Sequence, residues 1–171
     1  MTDLLLRDNM ENSRDTRFNA VATRLGHSFD GEIRVGGHYA PVVRHGAELY
    51  ISGQVPRVDQ TVVVTGRVGT DVTLLQAQTA AQICVMRGLA LLRQTLGSLD
   101  QIERVLRMTV YVQCSQDFTQ LSEVADGASD ILHEILGEAG VHTRTSVGVF
   151  QLPKNASVEL DLVAAAKTTA G

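Results

Sequence analysis

The sequence predicts an α+β subunit in which two helices pack on one face of a mixed β-sheet. Two segments carry apolar residues at helical spacing, and the segment between them alternates in the manner of a strand. Strand-like segments also precede the first helix and follow the second, which gives the order strands, helix, strand, helix, strand, strand. Helices laid on one face of a sheet enclose a single core between two layers.

The composition is that of one globular domain rather than a nucleic-acid-binding or membrane protein. The chain has 171 residues, a net charge of −4 and no run of Lys or Arg, whereas phosphate binding needs a basic surface. The apolar run Leu4–Leu6 is too short for a signal sequence or a membrane span. Two cysteines without a disulfide pattern suit a reducing compartment. We therefore expect a cytoplasmic protein that contacts neither nucleic acid nor membrane.

The chain divides into an N-terminal arm, residues 1–30, and a domain, residues 31–167. The arm is polar and aperiodic, apart from a short helix candidate at Arg17–Leu25. The domain opens with segments that are rich in strand-forming residues and are punctuated by glycine. These predicted strands are Tyr39–Arg44, Glu48–Gly53 and Thr61–Thr65.

Two helices are predicted in the domain from the spacing of their apolar residues. The first covers Thr73–Leu96, and Asp71 is its expected N-cap. The second covers Phe118–Leu136, with Ser115 or Asp117 as its N-cap.

The strand between the helices, Arg104–Cys114, has one apolar face and one face of mixed character. Val105, Thr109 and Tyr111 belong to the mixed face. Because partly apolar faces are usually covered, we expect another subunit on that side of the sheet.

The chain closes with two strands that a hairpin loop at Pro153–Ala156 is expected to connect. They are predicted over Thr145–Leu152 and Ser157–Ala165. In the second of them, Glu159 and Asp161 share one face of the sheet.

Three blocks of sequence resemble the RidA/YjgF/UK114 family, and the resemblance covers residues 31–165. The blocks are GHYAPVVRHGAELYISGQVP, GSLDQIERVLRMTVYV and GASDILHEILGEAGVHTRTSVGVFQLPKNASVEL. The resemblance implies a chorismate-mutase-like subunit that forms a homotrimer around a central β-barrel, with ligand clefts between neighbouring subunits. It also implies hydrolysis of reactive imine or enamine acids to keto acids and ammonia, without a metal or an organic cofactor.

The resemblance assigns catalytic roles to Arg144 and Glu159. Arg144, in HTRTSVGV, matches the family's arginine for the substrate carboxylate, and a planar guanidinium binds a carboxylate through two parallel hydrogen bonds. Glu159, in SVELDL, matches the family's acid, which can orient and partly deprotonate the attacking water. The alternatives are an interface salt bridge for Arg144 and a paired strand residue for Glu159. Asp161 is the nearest competitor of Glu159.

Five further residues are expected to bind the substrate, and two of them depart from the family pattern. Tyr39 matches a tyrosine that lines the cleft from the adjoining subunit, while Ser52 and Gly53 match a turn beside the ligand. Ser146 stands where cysteine is common in the family, and Asp126 stands where asparagine is common. A carboxylate would repel a substrate carboxylate. Either Asp126 pairs with a cation such as Arg144, or the ligand is not the usual small imino acid.

Arg87 is a third departure, because this branch usually has asparagine at that place in the helix. We interpret Arg87 as an arginine that points outward from the surface.

Other functions remain open at this stage. One is a binding module that senses or sequesters a small metabolite, which the Asp126 and Ser146 departures favour. Another is an ammonia-releasing lyase or hydrolase in the degradation of aminomuconate or hydroxylamino-aromatic compounds. RNA cleavage, the activity in the family's older endoribonuclease label, is disfavoured by the acidic charge. The five histidines form no HxxxH or HExxH pattern, so we expect no metal site.

Overall fold

The computed structural model describes residues 13–168. The first twelve residues of the expected arm, including Leu4–Leu6, lie outside this range. The elements in chain order are α1 Arg14–Leu25, β1 Val42–His45, β2 Glu48–Gln54, β3 Arg57–Val58, β4 Thr61–Val62, α2 Leu74–Leu96, β5 Ile102–Gln113, α3 Leu121–Leu136, β6 Thr143–Val149 and β7 Val158–Ala166.

The main sheet has five strands in the order β1-β2-β7-β5-β6, and it is mixed as predicted. Strand β6 pairs with β5 in parallel, and the other neighbours are antiparallel. The predicted hairpin between the last two strands is wrong, because β7 crosses over β5 and inserts between β2 and β5. The segment Thr61–Thr65 contributes only the two-residue strand β4, which pairs with β3 in a separate small sheet.

The residues described contain three α-helices where the sequence analysis predicts two in the domain. Ser13 caps the additional helix, α1, by accepting a hydrogen bond from the backbone N–H of Thr16. Phe18 and Val21 are buried and join the hydrophobic core of the domain. The short helix expected from Arg17 therefore begins at Arg14 and packs against the other helices.

The two long helices lie where they are predicted, but their N-caps differ. Thr73 caps α2 in a capping box with Gln76, whereas Asp71 accepts a hydrogen bond from the backbone of Arg67. Helix α3 begins at Leu121 without a side-chain cap, so neither expected cap residue acts there.

The two faces of the sheet differ as the alternation of β7 predicts. Val158, Leu160 and Leu162 are buried beneath the helices, and Glu159 and Asp161 lie on the opposite, open face. At the start of β5, the prediction that Val105 shares a face with Thr109 and Tyr111 is wrong, because a bulge lies between Val105 and Arg107 in the pairing with β7. Val105 is consequently fully buried on the helix side.

The open face carries apolar side chains that the protomer leaves uncovered. The residues on it that are exposed despite their size are Val43, Tyr50 and Val147. Within residues 13–168, no helix has both the length and the apolar character needed to cross a bilayer.

Candidate functional site

A cleft of about 270 Å³ opens where β2 ends and brings three of the predicted site residues together. Tyr39, Gly53 and Glu159 all line it. The pairing of β2 with β7 is irregular between Ile51 and Gln54, which opens the sheet at this point. A Cβ atom at Gly53 would collide with the carboxylate of Glu159, so glycine is required for the observed position of that side chain.

Glu159 is half-buried on the floor of the cleft. Burial raises the pKa of its carboxyl group, and the neighbouring charge of Asp161 raises the pKa further. Among the residues described, the Glu159 carboxylate has no hydrogen-bond or ion-pair partner. Asp161, its sequence competitor, accepts a hydrogen bond of 3.2 Å from the hydroxyl of Tyr111. Glu159 is therefore the acid of this pair that is available to a ligand.

Tyr39 and Ser52 have different roles at the cleft. Tyr39 is 53% exposed, so it does not serve as a core residue in the protomer. The hydroxyl of Ser52 donates to the carbonyl of Ala40 over 2.7 Å, and its backbone N–H donates to the carbonyl of Pro41. Through these two hydrogen bonds, Ser52 holds the segment that carries Tyr39 against strand β2.

Arg144 lies on the edge strand β6 and is held by helix α3. Its guanidinium donates to the carboxylate of Asp126 over 2.7 Å and to the hydroxyl of Ser129 over 2.9 Å. A third hydrogen bond of 3.3 Å reaches the carbonyl of Ser122. Of the two alternatives for Asp126, the protomer adopts the pairing with Arg144.

His142 belongs to the same group of hydrogen-bonded residues as Arg144, Asp126 and Ser129, which we call the Arg144 cluster. One ring nitrogen contacts the Ser129 hydroxyl at 3.1 Å, and the other contacts the carbonyl of Gly140 at 2.6 Å. Burial lowers the pKa of His142, and the charges of His133 and Arg144 act in the same direction, although the Gly140 carbonyl opposes them.

The strand register places Arg144 and Glu159 on opposite faces of the sheet. Arg144 is aligned with Met108 and, through it, with Leu162, which are both buried under the helices. Glu159 is aligned with Tyr111 on the open face. Ser146 follows Arg144 by two residues and shares its face. Arg144, Asp126 and Ser146 are thus separated from the cleft within one protomer.

Arg87 also lines the cleft, and the prediction that it points outward is wrong. Only 8% of it is exposed. It donates from Nε to the side-chain oxygen of Gln54 over 3.2 Å and from Nη1 to the carbonyl of Arg57 over 3.0 Å. The sequence held a signal for this burial, since Arg87 stands three residues after Cys84 and four before Leu91 on the apolar helix face.

Comparison with known proteins identifies the family. A sequence model described as "YjgF/chorismate mutase-like, putative endoribonuclease" matches residues 21–166. This chain belongs to the YjgF family. Protein TCP17 of Trypanosoma cruzi is 38% identical over 146 residues, which are 85% of this chain and 91% of that protein.

Solved structures extend the YjgF assignment to the fold. Atu1372 of Agrobacterium tumefaciens, a protein of unknown function, is 33% identical with a TM-score of 0.81, and the match covers 96% of this chain and 99% of that one. The YjgF gene product of E. coli is 19% identical with a TM-score of 0.56, over 81% of this chain and 95% of that one, and supports the fold alone.

Metal ligation finds no support in the arrangement of side chains. Within residues 13–168, no three His, Cys, Asp or Glu residues cluster closely enough to hold an ion. The absence of a cofactor and of a metal remains a prediction from the YjgF resemblance.

Proposed function

We propose that this protein is a cofactor-free deaminase, which hydrolyses a small imine or enamine carboxylate to a carbonyl compound and ammonia. The observation that carries the proposal is Glu159, a half-buried carboxylate without a described partner at the floor of a basic cleft. Among residues 13–168, four basic side chains line that cleft, and Glu159 is the one acid in its lining. Such a cleft favours an anionic ligand in a chain whose net charge is negative.

Glu159 serves as the base and then as the acid of the reaction. As a carboxylate it removes a proton from water while the oxygen adds to the imine carbon, which forms a carbinolamine. The protonated Glu159 then gives its proton to the nitrogen. As the carbon–nitrogen bond breaks and ammonia leaves, the Glu159 carboxylate takes the proton of the carbinolamine hydroxyl, so that the carbonyl forms, and it releases this proton to ammonia or solvent. A pKa raised by burial suits both steps, because the group must accept and release a proton near neutral pH.

The complete site in this proposal lies between two copies of the chain in a homotrimer. The uncovered apolar face of the sheet gives a reason for association. Because Arg144 and Glu159 face opposite sides of one sheet, a neighbouring copy supplies Arg144, Asp126 and Ser146 to a cleft formed by Tyr39 and Glu159. Light scattering should give a mass near three times 18.5 kDa. A stable monomer would contradict this arrangement.

The experiment that tests the proposed function measures ammonia release from an imino acid that an amino-acid oxidase generates in situ. Loss of a desolvated charge partner costs on the order of 2–5 kcal/mol. Arg144→Ala should therefore lower kcat/KM by roughly thirtyfold to several thousandfold. Arg144→Lys should not restore the rate, because a point charge cannot form two parallel hydrogen bonds. Both variants must remain trimeric. Wild-type rates in both would show that Arg144 is structural.

The ion pair between Arg144 and Asp126 favours a second candidate function, a binding module without turnover. A carboxylate already neutralises the guanidinium that the substrate would need. In the same assay, this alternative predicts no ammonia from any imino or enamine acid, together with Arg144-dependent binding of carboxylates.

A further inference from the structure

A second cavity of about 490 Å³ adjoins the Glu159 cleft, and the two share a group of arginines. Arg34, Arg57 and Arg87 line both cavities. The proposed reaction counts them only as part of the basic cleft and gives none of them a contact with a particular group of the substrate. Within residues 13–168, none of the three forms an ion pair with Glu159, and all three line the region that the two cavities share.

Arg87 is buried with hydrogen-bonding capacity that the protein leaves unused. Both of its acceptors, the side chain of Gln54 and the carbonyl of Arg57, are uncharged. Its Nη2 group donates to no residue in the described range, and no carboxylate of those residues lies within ion-pair distance of it. A buried guanidinium is normally paired with an anion, because removal from water disfavours the charged form.

Arg57 also has an N–H donor without an acceptor among the residues described. Its Nε atom is buried and has no hydrogen-bond partner within the part of the chain described. The charges of Arg57 and Arg87 also repel each other, and burial together with this repulsion lowers the pKa of Arg87. The acids that line the second cavity are Glu32, which pairs with Arg34 over 2.9 Å, and Asp59. Neither forms an ion pair with Arg87.

We propose that Arg87 and Arg57 form a subsite for a second anionic group, a carboxylate or a phosphate, at the end of the ligand remote from the reacting carbon. This inference rests on the proposed function only in placing the reacting carbon at Glu159. The ligand class is then a doubly anionic keto or imino acid rather than a simple one.

Titration calorimetry with product-like keto acids tests the subsite without requiring turnover. The probes are 2-oxobutyrate with one anionic group, 2-oxoglutarate with a second carboxylate, and phosphonopyruvate with a second, phosphorus-based anion. In the wild-type protein one of the two double anions should bind at least about tenfold more tightly than 2-oxobutyrate, as charge-assisted hydrogen bonds to a buried arginine allow. The tighter of the two shows which anion the subsite takes.

Arg87→Gln should abolish this preference, because it should weaken the binding of the double anions by a larger factor than the binding of 2-oxobutyrate. Arg24→Gln is the matched control, because Arg24 is an exposed arginine of α1 paired with Glu134. It should retain the preference. If Arg87→Gln does not fold, Arg57→Gln provides the same comparison.

Three results would overturn the subsite: equal affinity for all three probes in the wild-type protein, no binding of any probe, or a preference that persists in the arginine variants. Failure of the ammonia assay alongside an Arg87-dependent preference would refute the deaminase and leave the subsite in place.

Discussion

The Glu159 cleft and the Arg144 cluster contrast in how far the protomer satisfies their charged groups. In the cleft, Glu159 has no described partner and Arg87 bonds only to uncharged acceptors. In the cluster, three acceptors on α3 engage Arg144, and one of them, Asp126, is a carboxylate. The cleft retains unused capacity for a ligand, whereas three of the five N–H donors of Arg144 already have acceptors in its own chain.

The two halves of the proposed site therefore place different requirements on a bound ligand. The cleft requires a ligand with an anionic group for Arg87 and with a nitrogen atom that accepts a proton from Glu159. In the cluster, Asp126 already neutralises the charge of Arg144, so a substrate carboxylate must compete with Asp126 for the guanidinium. Satisfied ion pairs are weak evidence of stability but strong constraints on geometry, since breaking one leaves an unpaired charge.

The largest expected effect is on the acid of the cleft. Glu159→Gln removes the group that transfers protons, and it should lower kcat by about 10²- to 10⁴-fold in the ammonia assay. Asp161→Asn is the matched control, because Asp161 lies on the same strand face but bonds to Tyr111. It should keep most of the activity. Equal losses in both variants would mean that the charge of the strand, rather than Glu159, matters.

A mixing experiment tests whether the two halves come from different copies. Arg144→Ala and Glu159→Gln subunits, each inactive alone, are co-expressed with different tags so that mixed trimers can be isolated. In every mixed cyclic trimer, one of the three inter-subunit sites combines both native residues, so about a third of wild-type activity should return in the isolated mixed trimers. The single-variant trimers are the controls. No recovery in verified mixed trimers would place both residues in the same site of one chain.

Gly53→Ala tests whether the observed position of Glu159 in the cleft matters for activity, with a smaller expected effect. The added methyl group would displace the flexible end of Glu159, so we expect a reduced kcat with a stability loss of about 1–3 kcal/mol at most. Gly36 lines the same cleft, and a Cβ atom there meets no atom within 4 Å. Gly36→Ala should therefore be close to wild type in activity and in urea midpoint. Unchanged activity in Gly53→Ala would argue that the observed Glu159 position is unimportant.

The smallest expected effect is a pH dependence of stability at the Arg144 cluster. Burial lowers the pKa of His142, so the unfolded chain binds the proton more readily than the folded one as the pH falls below about 6.5. The contribution of His142 is present above that pH and is lost as the pH falls through the folded pKa. The opposite holds for Glu159, whose raised pKa gives stability that is lost as the pH rises.

Urea midpoints of the wild-type protein and His142→Gln, measured between about pH 7.5 and pH 5.5, isolate the histidine. The wild-type midpoint should fall more steeply with decreasing pH than that of the variant. Parallel curves would mean that His142 is not buried in solution as it is in the protomer.

The sequence by itself determined the properties that depend on near neighbours in the chain. Helix periodicity located α2 and α3, and the alternation of β7 predicted that Glu159 and Asp161 share one face of the sheet. These predictions succeed because a side chain's direction within one element follows from its spacing along that element. The resemblance to the family, carried by ordered motifs, is confirmed by the match to residues 21–166.

Only the tertiary structure decided the features that depend on pairing between distant segments. The crossover of β7 between β2 and β5, the bulge that buries Val105, and the opposite faces of Arg144 and Glu159 all follow from strand register. Register is a property of two strands together, and a single bulge reverses every later side chain. The acceptors of Arg87 also depend on distant segments. The apolar helix face set the direction of Arg87, but its acceptors, Gln54 and Arg57, lie 33 and 30 residues earlier in the chain.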